Sequence, residues 1–214
     1  MTGLGGGFFT LIVATSAAAL AGAAMPSAFE ATLDRPALTQ AVKLARWPAT
    51  DADRAAFHAR YAFDVRDEPI APIRIDQIEV TTEFRRLELI AEHHARLNDL
   101  WGGPGTRDAE EALAPWRGVL WITAHATYRD LAKIAPQPEE ITIGLAGPAQ
   151  RARKVQRSFE WAGNCGDPPG CQIIGATIEA AFEAAPLAHA VRPVLVEWNG
   201  VRLARVTIDF TSLQ

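Results

Sequence analysis

A chain of 214 residues, 49% hydrophobic and 21% charged, is long enough to bury one core and too short for three domains. Its composition excludes a collagen, a coiled coil and a disordered polymer. A net charge of −4 with a pI near 5.7 provides no basic field for DNA, RNA or an anionic membrane surface.

Residues 1–29 carry no charged side chain, and Glu30 is the first. Phe8-Phe9-Thr10-Leu11-Ile12-Val13-Ala14 opens an apolar run that fades into small residues from Ala17 to Ala24. We read residues 1–24 as a signal peptide, with Ala21-Gly22-Ala23 before Ala24 as the peptidase site. Thr2 to Gly7 lack the usual Lys or Arg, but the run is too dilute for an anchor of about 18–20 strongly apolar residues. The expected location is periplasmic or secreted, with a membrane touched only through this leader.

Asp34-Arg35-Pro36 starts a helix, Asp34 as cap and Pro36 where a missing N–H is harmless. Leu38, Val42 and Ala45 share its inner face, widened by Ala41 and Leu44, until Pro48 stops it. Thr50-Asp51-Ala52-Asp53 starts a second helix with acids in its first turn. It is expected to reach about Ala62 and to present Ala52, Ala56, Ala59 and Phe63. Ile73 to Val80 is ambiguous: Ile73 and Ile75 alternate like a strand, while Asp76-Gln77-Ile78-Glu79 reads as a capping box. From Thr82 a long helix is expected, with Phe84, Leu87, Ala91, His94 and Trp101 on one stripe, ending at Gly102-Gly103-Pro104. A short acidic helix, Arg107 to Leu113, follows.

The period then changes to two. Leu120, Ile122, Ala124, Ala126 and Tyr128 fall on one face of a strand, and Trp121, Thr123, His125 and Thr127 on the other. Ile141, Ile143 and Leu145 mark a second strand, and Ile174 to Phe182 a third. Val194 to Trp198, Asn199-Gly200 and Val201 to Phe210 form a hairpin with a type I′ turn, setting Trp198 opposite Val201 and Glu197 opposite Arg202. Helices followed by antiparallel strands indicate an α+β fold. Residues 30–115 form a mainly helical segment, packed on an antiparallel sheet or sandwich made by residues 116–214, within one compact domain.

The chemistry is narrowed mostly by what is missing. No serine lies in a GxSxG or SxxK pattern, and there is no HExxH. No catalytic residue, metal ligand set or cofactor is therefore assigned. His94 falls on the apolar stripe as a hydrogen-bonded core histidine, whereas His125 sits on the polar side of its strand, facing water or a ligand. Glu88 and Glu92 stack at i,i+4 and read first as a solvated pair beside Arg85, Arg86 and Arg96. An acid–base hydrolase using them, with His93, is the alternative.

The stretch from Gly147 to Gln172 exceeds the usual loop of about 4–6 residues. It carries Arg151, Arg153, Lys154 and Arg157, then Phe159 and Trp161. It reads either as a surface helix with a basic side or as a surface for an anionic or planar partner. Cys165 and Cys171 bracket a Gly- and Pro-rich turn. A disulfide there staples the loop 165–171 in an oxidising compartment, worth about 2–2.5 kcal/mol by chain entropy. A metal-ligand pair or a redox couple is the other reading, although the spacing is not CxxC.

Ile78-Glu79-Val80-Thr81-Thr82-Glu83-Phe84-Arg85-Arg86 with Ala91-Glu92, Leu113-Ala114-Pro115-Trp116-Arg117-Gly118 and the closing Val206-Thr207-Ile208-Asp209-Phe210 resemble uncharacterised exported bacterial proteins. The resemblance spans roughly residues 55–214 and implies a bacterial envelope setting without an activity. In that segment Arg85 or Arg86 is expected to pair with Glu83, docking the helix on the sheet, with Trp116 and Trp121 filling the core beneath. The resulting expectation is a non-catalytic binding or scaffolding domain whose partner is another envelope protein or an anionic small ligand. Thiol titration of the exported protein, denatured without reductant, is expected to find no free thiol; two free thiols per chain remove the staple.

Overall fold

The computed structural model describes residues 30–46, 50–65, 72–99, 101, 107–129, 138–147, 150–163 and 172–214. The leader 1–24 and the expected Cys165–Cys171 staple lie outside the described residues. The elements run α1 (Arg35–Arg46), α2 (Asp51–Ala59), β1 (Ala62–Asp64), β2 (Ile73–Thr81), α3 (Glu83–Arg96), α4 (Arg107–Leu113), β3 (Val119–Tyr128), β4 (Ile141–Leu145), β5 (Lys154–Ala162), β6 (Gln172–Glu183), β7 (Val191–Trp198) and β8 (Val201–Asp209). The α+β class is as expected. One antiparallel sheet has the order β1-β2-β3-β6-β5 and the other β4-β7-β8.

Local chemistry places the helices. Asp34 Oδ1 accepts from Ala37 N–H at 2.9 Å to start α1, which buries Leu38, Ala41 and Val42. Thr50 caps α2 through Asp53 N–H at 3.1 Å. Here the expected alanine face is overturned: α2 ends at Ala59, and its half-buried side chains are Arg54, Phe57 and His58, while Ala52, Ala56 and Ala59 are exposed. The larger side chains cover more of the neighbouring helix than alanines can. Thr82 caps α3, accepting from Arg85 N–H at 3.0 Å. The helix stops at Arg96, short of the expected Gly102, where Asn98 takes a left-handed φ of +54°.

The strands explain the ambiguous segment. In β2 the pairing with β3 shifts between Ile75 and Gln77, and this bulge returns Ile73, Ile75, Ile78 and Val80 to one face. An irregular 2-then-3 spacing is therefore what an interrupted strand leaves in the sequence. The turn at Asn199 (φ +48°) and Gly200 (φ +77°) joins β7 to β8, with Trp198 opposite Val201 and Glu197 opposite Arg202 as expected. A correction applies to residues 147–172. Much of that stretch is β5, paired along β6, so neither a long loop nor a surface helix describes it.

Two cores result. Between the sheets, Ile73, Ile78, Leu120, Ile122, Ile178 and Phe182 meet Ile141, Ile143, Val194, Val196 and Ile208. Among the helices, Leu38, Val42, Phe84, Leu87, Ala91 and Leu113 form a second, smaller cluster. A buried carboxylate lies where they join. Glu83 accepts from Leu33 N–H at 3.1 Å, from Gly118 N–H at 2.7 Å and from Arg117 Nη1 at 3.0 Å. Arg117, instead of Arg85 or Arg86, is thus the partner of Glu83. Glu83→Ala leaves a half-buried guanidinium and two amides without their acceptor and is expected to cost about 2–4 kcal/mol. A loss below about 1 kcal/mol in urea unfolding contradicts the anchoring role.

Candidate binding surface

Strand alternation divides the expected basic set between two faces. Lys154 pairs with Ala181 and Arg157 with Ile178, so the Lys154 side chain lies on the sheet face away from the sandwich core and Arg157 on the core side. Arg157 Nη2 donates to Ile141 O at 3.4 Å. Arg153 is paired with Glu183 at 3.0 Å, and Arg151 is exposed. Trp161 is 53% exposed and packs edge-on against Phe159. It stands about 23 Å along the strand from Lys154. The expected cluster is therefore dispersed, because a strand cannot gather side chains four and seven positions apart as a loop or helix does.

His125 lies on the outer face opposite Gln77 and Thr177. Its Nε2 is 3.6 Å from Glu79 Oε1, beyond hydrogen-bond distance. His94 is stacked on Trp101, with ring centroids 4.8 Å apart, and is bonded through Nδ1 to Asp99. It is a partnered, half-buried histidine.

Glu88 and Glu92 are not solvated. Glu92 receives His58 Nε2 at 3.0 Å, Arg54 Nη1 at 3.5 Å and Arg96 Nη2, which together dock α2 on α3. Arg85 completes the seam, its guanidinium lying 5.2 Å from the Phe57 ring and 5.0 Å from the Tyr61 ring. His58 is held below its ordinary value by burial and by the Arg85 charge, against the pull of Glu92. Glu88 is 1% exposed, and neither carboxyl oxygen has a hydrogen-bond partner. Burial pushes it up to about 9, outweighing the opposing charges of Arg85 and Arg60. At neutral pH it is a neutral acid sealed inside the helical layer.

On the outer face of the five-stranded sheet, a different group converges. Arg86 lies 4.0 Å from the Trp116 ring centroid, Trp116 and Trp121 meet edge-to-face at 5.5 Å, and Lys154 Nζ is 5.7 Å from the Trp121 ring. Trp121 is 5% exposed, and its Nε1–H has no acceptor; Arg86 Nε likewise has none. Glu179, on the same face, attracts Arg86. Of these residues only Lys154 belongs to the expected binding set. The alternation of β3 placed Trp121 on the outer face, but not that Arg86 and Lys154 flank the indole pair.

Among the described residues no group of His, Cys, Asp and Glu side chains converges to hold a metal ion. No helix among them is long and apolar enough to cross a membrane. No protein-family model and no curated protein matches the chain. Among solved structures, a novel protein of unknown function from Burkholderia pseudomallei is similar over 85% of this chain and 96% of that one, at 14% identity and a TM-score of 0.37. At that distance no activity passes to this chain.

Glu88 yields a pH test. The folded chain keeps its proton up to about 9, while an unfolded chain releases it near 4.5. Stability contributed by this group is thus full below 4.5 and falls as pH rises towards 9. Glu88→Gln is expected to exceed the wild type at pH 8 by about 1–4 kcal/mol and to match it at pH 4.5. Equal stability at both pH values, in denaturant titrations, contradicts a neutral buried Glu88.

Proposed function

We propose that this chain is a non-catalytic binding domain of the bacterial envelope, exported by its leader, which captures an anionic ligand with a flat face at Arg86, Trp116, Trp121 and Lys154. The observation that carries this reading is the buried Trp121 Nε1–H, a donor without an acceptor beside an edge-on indole and two cations. Leaving such a donor unmade costs about 1–3 kcal/mol, which a ligand's acceptor relieves. Half-buried Trp116 offers an aromatic face beside the buried Trp121, and the two cations supply the charge that an anion needs there.

The hydrolase alternative draws less support from the same geometry. Acid–base work needs carboxylates that reach a substrate proton. Glu92 is occupied by Arg54, Arg96 and His58, and Glu88 is buried at 1% exposure. Export rests on the composition of residues 1–24 and on the cysteine pair.

Naphthalene-2-carboxylate is a suitable probe, followed by the NMR signal of the Trp121 indole N–H. That signal is expected to move saturably, and the double variant Arg86→Gln with Lys154→Gln to bind roughly tenfold more weakly. Glu179→Gln, which frees Arg86 from a competing carboxylate, is expected to tighten binding. An unmoved Trp121 signal, or full affinity in the double variant, refutes the site.

A further inference from the structure

The open end of the sandwich holds a second feature, independent of the aromatic surface. β7 is the central strand of its sheet, and along it Arg192, Val194 and Val196 alternate onto the face that meets the other sheet. Arg192 stands opposite Ile208, which is fully buried. A cation thus occupies a row otherwise given to core side chains. β4 pairs with β7 only from Val194 to Trp198, so Arg192 lies just past the end of β4, with β8 alone paired beside it.

Among the described residues Arg192 has no carboxylate partner and makes no hydrogen bond to a side chain or carbonyl. Its guanidinium lies over Gly147. A β-carbon there would sit 2.3 Å from Arg192 Nη1, and the φ of +114° is open to glycine alone. The backbone is therefore shaped to let the guanidinium through. It reaches a groove of about 340 Å³ lined by Leu145, Ala146, Pro186 and Leu187, with Gln150 and Glu183 at its polar side.

The charges in the groove do not cancel. Glu183 is already paired with Arg153 at 3.0 Å, and Gln150 Nε2 donates to the Glu183 carbonyl at 2.7 Å. What remains is one unanswered positive charge above an apolar floor. We infer that this groove binds a small monocarboxylate with a short aliphatic tail, the carboxylate on Arg192 and the tail against Leu145, Pro186 and Leu187. A guanidinium takes a carboxylate through two parallel N–H···O bonds, and an aliphatic chain fits walls that offer no further donors. A dianion such as inorganic phosphate is disfavoured, since the groove supplies a single free cation next to Glu183.

Calorimetric titration of the full chain with sodium octanoate, 1-octanol and inorganic phosphate tests this. Octanoate is expected to bind saturably and the alcohol roughly tenfold more weakly, with phosphate giving no heat. Arg192→Gln should remove the preference for octanoate over octanol, while the Trp121 response to naphthalene-2-carboxylate persists. Glu183→Gln, which deletes a competing carboxylate, should tighten octanoate several-fold. Arg192→Lys, which keeps the charge and loses the fork, decides the matter if Arg192→Gln does not fold: octanoate should bind several-fold more weakly, and unchanged affinity overturns the assignment. Absence of octanoate binding, equal binding of the alcohol, unchanged affinity in Arg192→Gln, or no tightening in Glu183→Gln overturns the assignment.

Discussion

The Glu83 carboxylate holds three segments of the chain at one point. It sits in the first turn of α3, where the helix dipole favours a negative charge. It accepts the Leu33 amide ahead of α1, the Gly118 amide ahead of β3 and the Arg117 guanidinium. Arg117 in turn donates to the Leu33 carbonyl at 3.1 Å. A carboxylate 2% exposed is tolerable only when its lone pairs are so fully answered. The requirement works in both directions: once the charge is buried, the donors must come to it. This fixes where the helical layer joins the sheets, a junction at which Ala31 and Phe57 also pack against the inter-sheet core.

The same preference for polar joints recurs between α2 and α3. α2 contributes no fully buried residue, so its docking depends on Glu92 answering Arg54 and His58, and on Arg85 lying over Phe57 and Tyr61. Such a joint is directional, unlike an apolar one. It also consumes the carboxylates that a hydrolase would need and leaves Glu88 as a neutral acid.

On the strands, the two proposed sites differ in their logic. At the outer face, two indoles set edge to face are flanked by two cations, contributed by α3, β3, β5 and the turn before β3. At the end of the sandwich, an inward-facing Arg192 replaces what would otherwise be another core residue. In both, a polar group lacks a partner among the described residues: the buried Trp121 indole N–H at the outer face and the part-exposed Arg192 guanidinium at the end of the sandwich.

The linear order of residues by itself determined the class of fold, the starts of the helices, the hairpin register at Asn199-Gly200 and the inner face of β3. These are local: a cap, a turn residue or a period of two acts within a few positions. Only the tertiary structure decided that residues 154–162 are a strand, because their mixed polar pattern pairs with β6 through backbone bonds that side-chain periodicity does not record. It also decided the partners of Glu83, Glu92 and Arg86, which arrive from segments distant in the chain. The basic residues Arg151, Arg153, Lys154, Arg157 and the aromatic Trp161 look like one group in sequence. Pleating turns neighbours to opposite faces and extension spreads them along the edge, so of these Lys154 alone reaches the Trp121 ring.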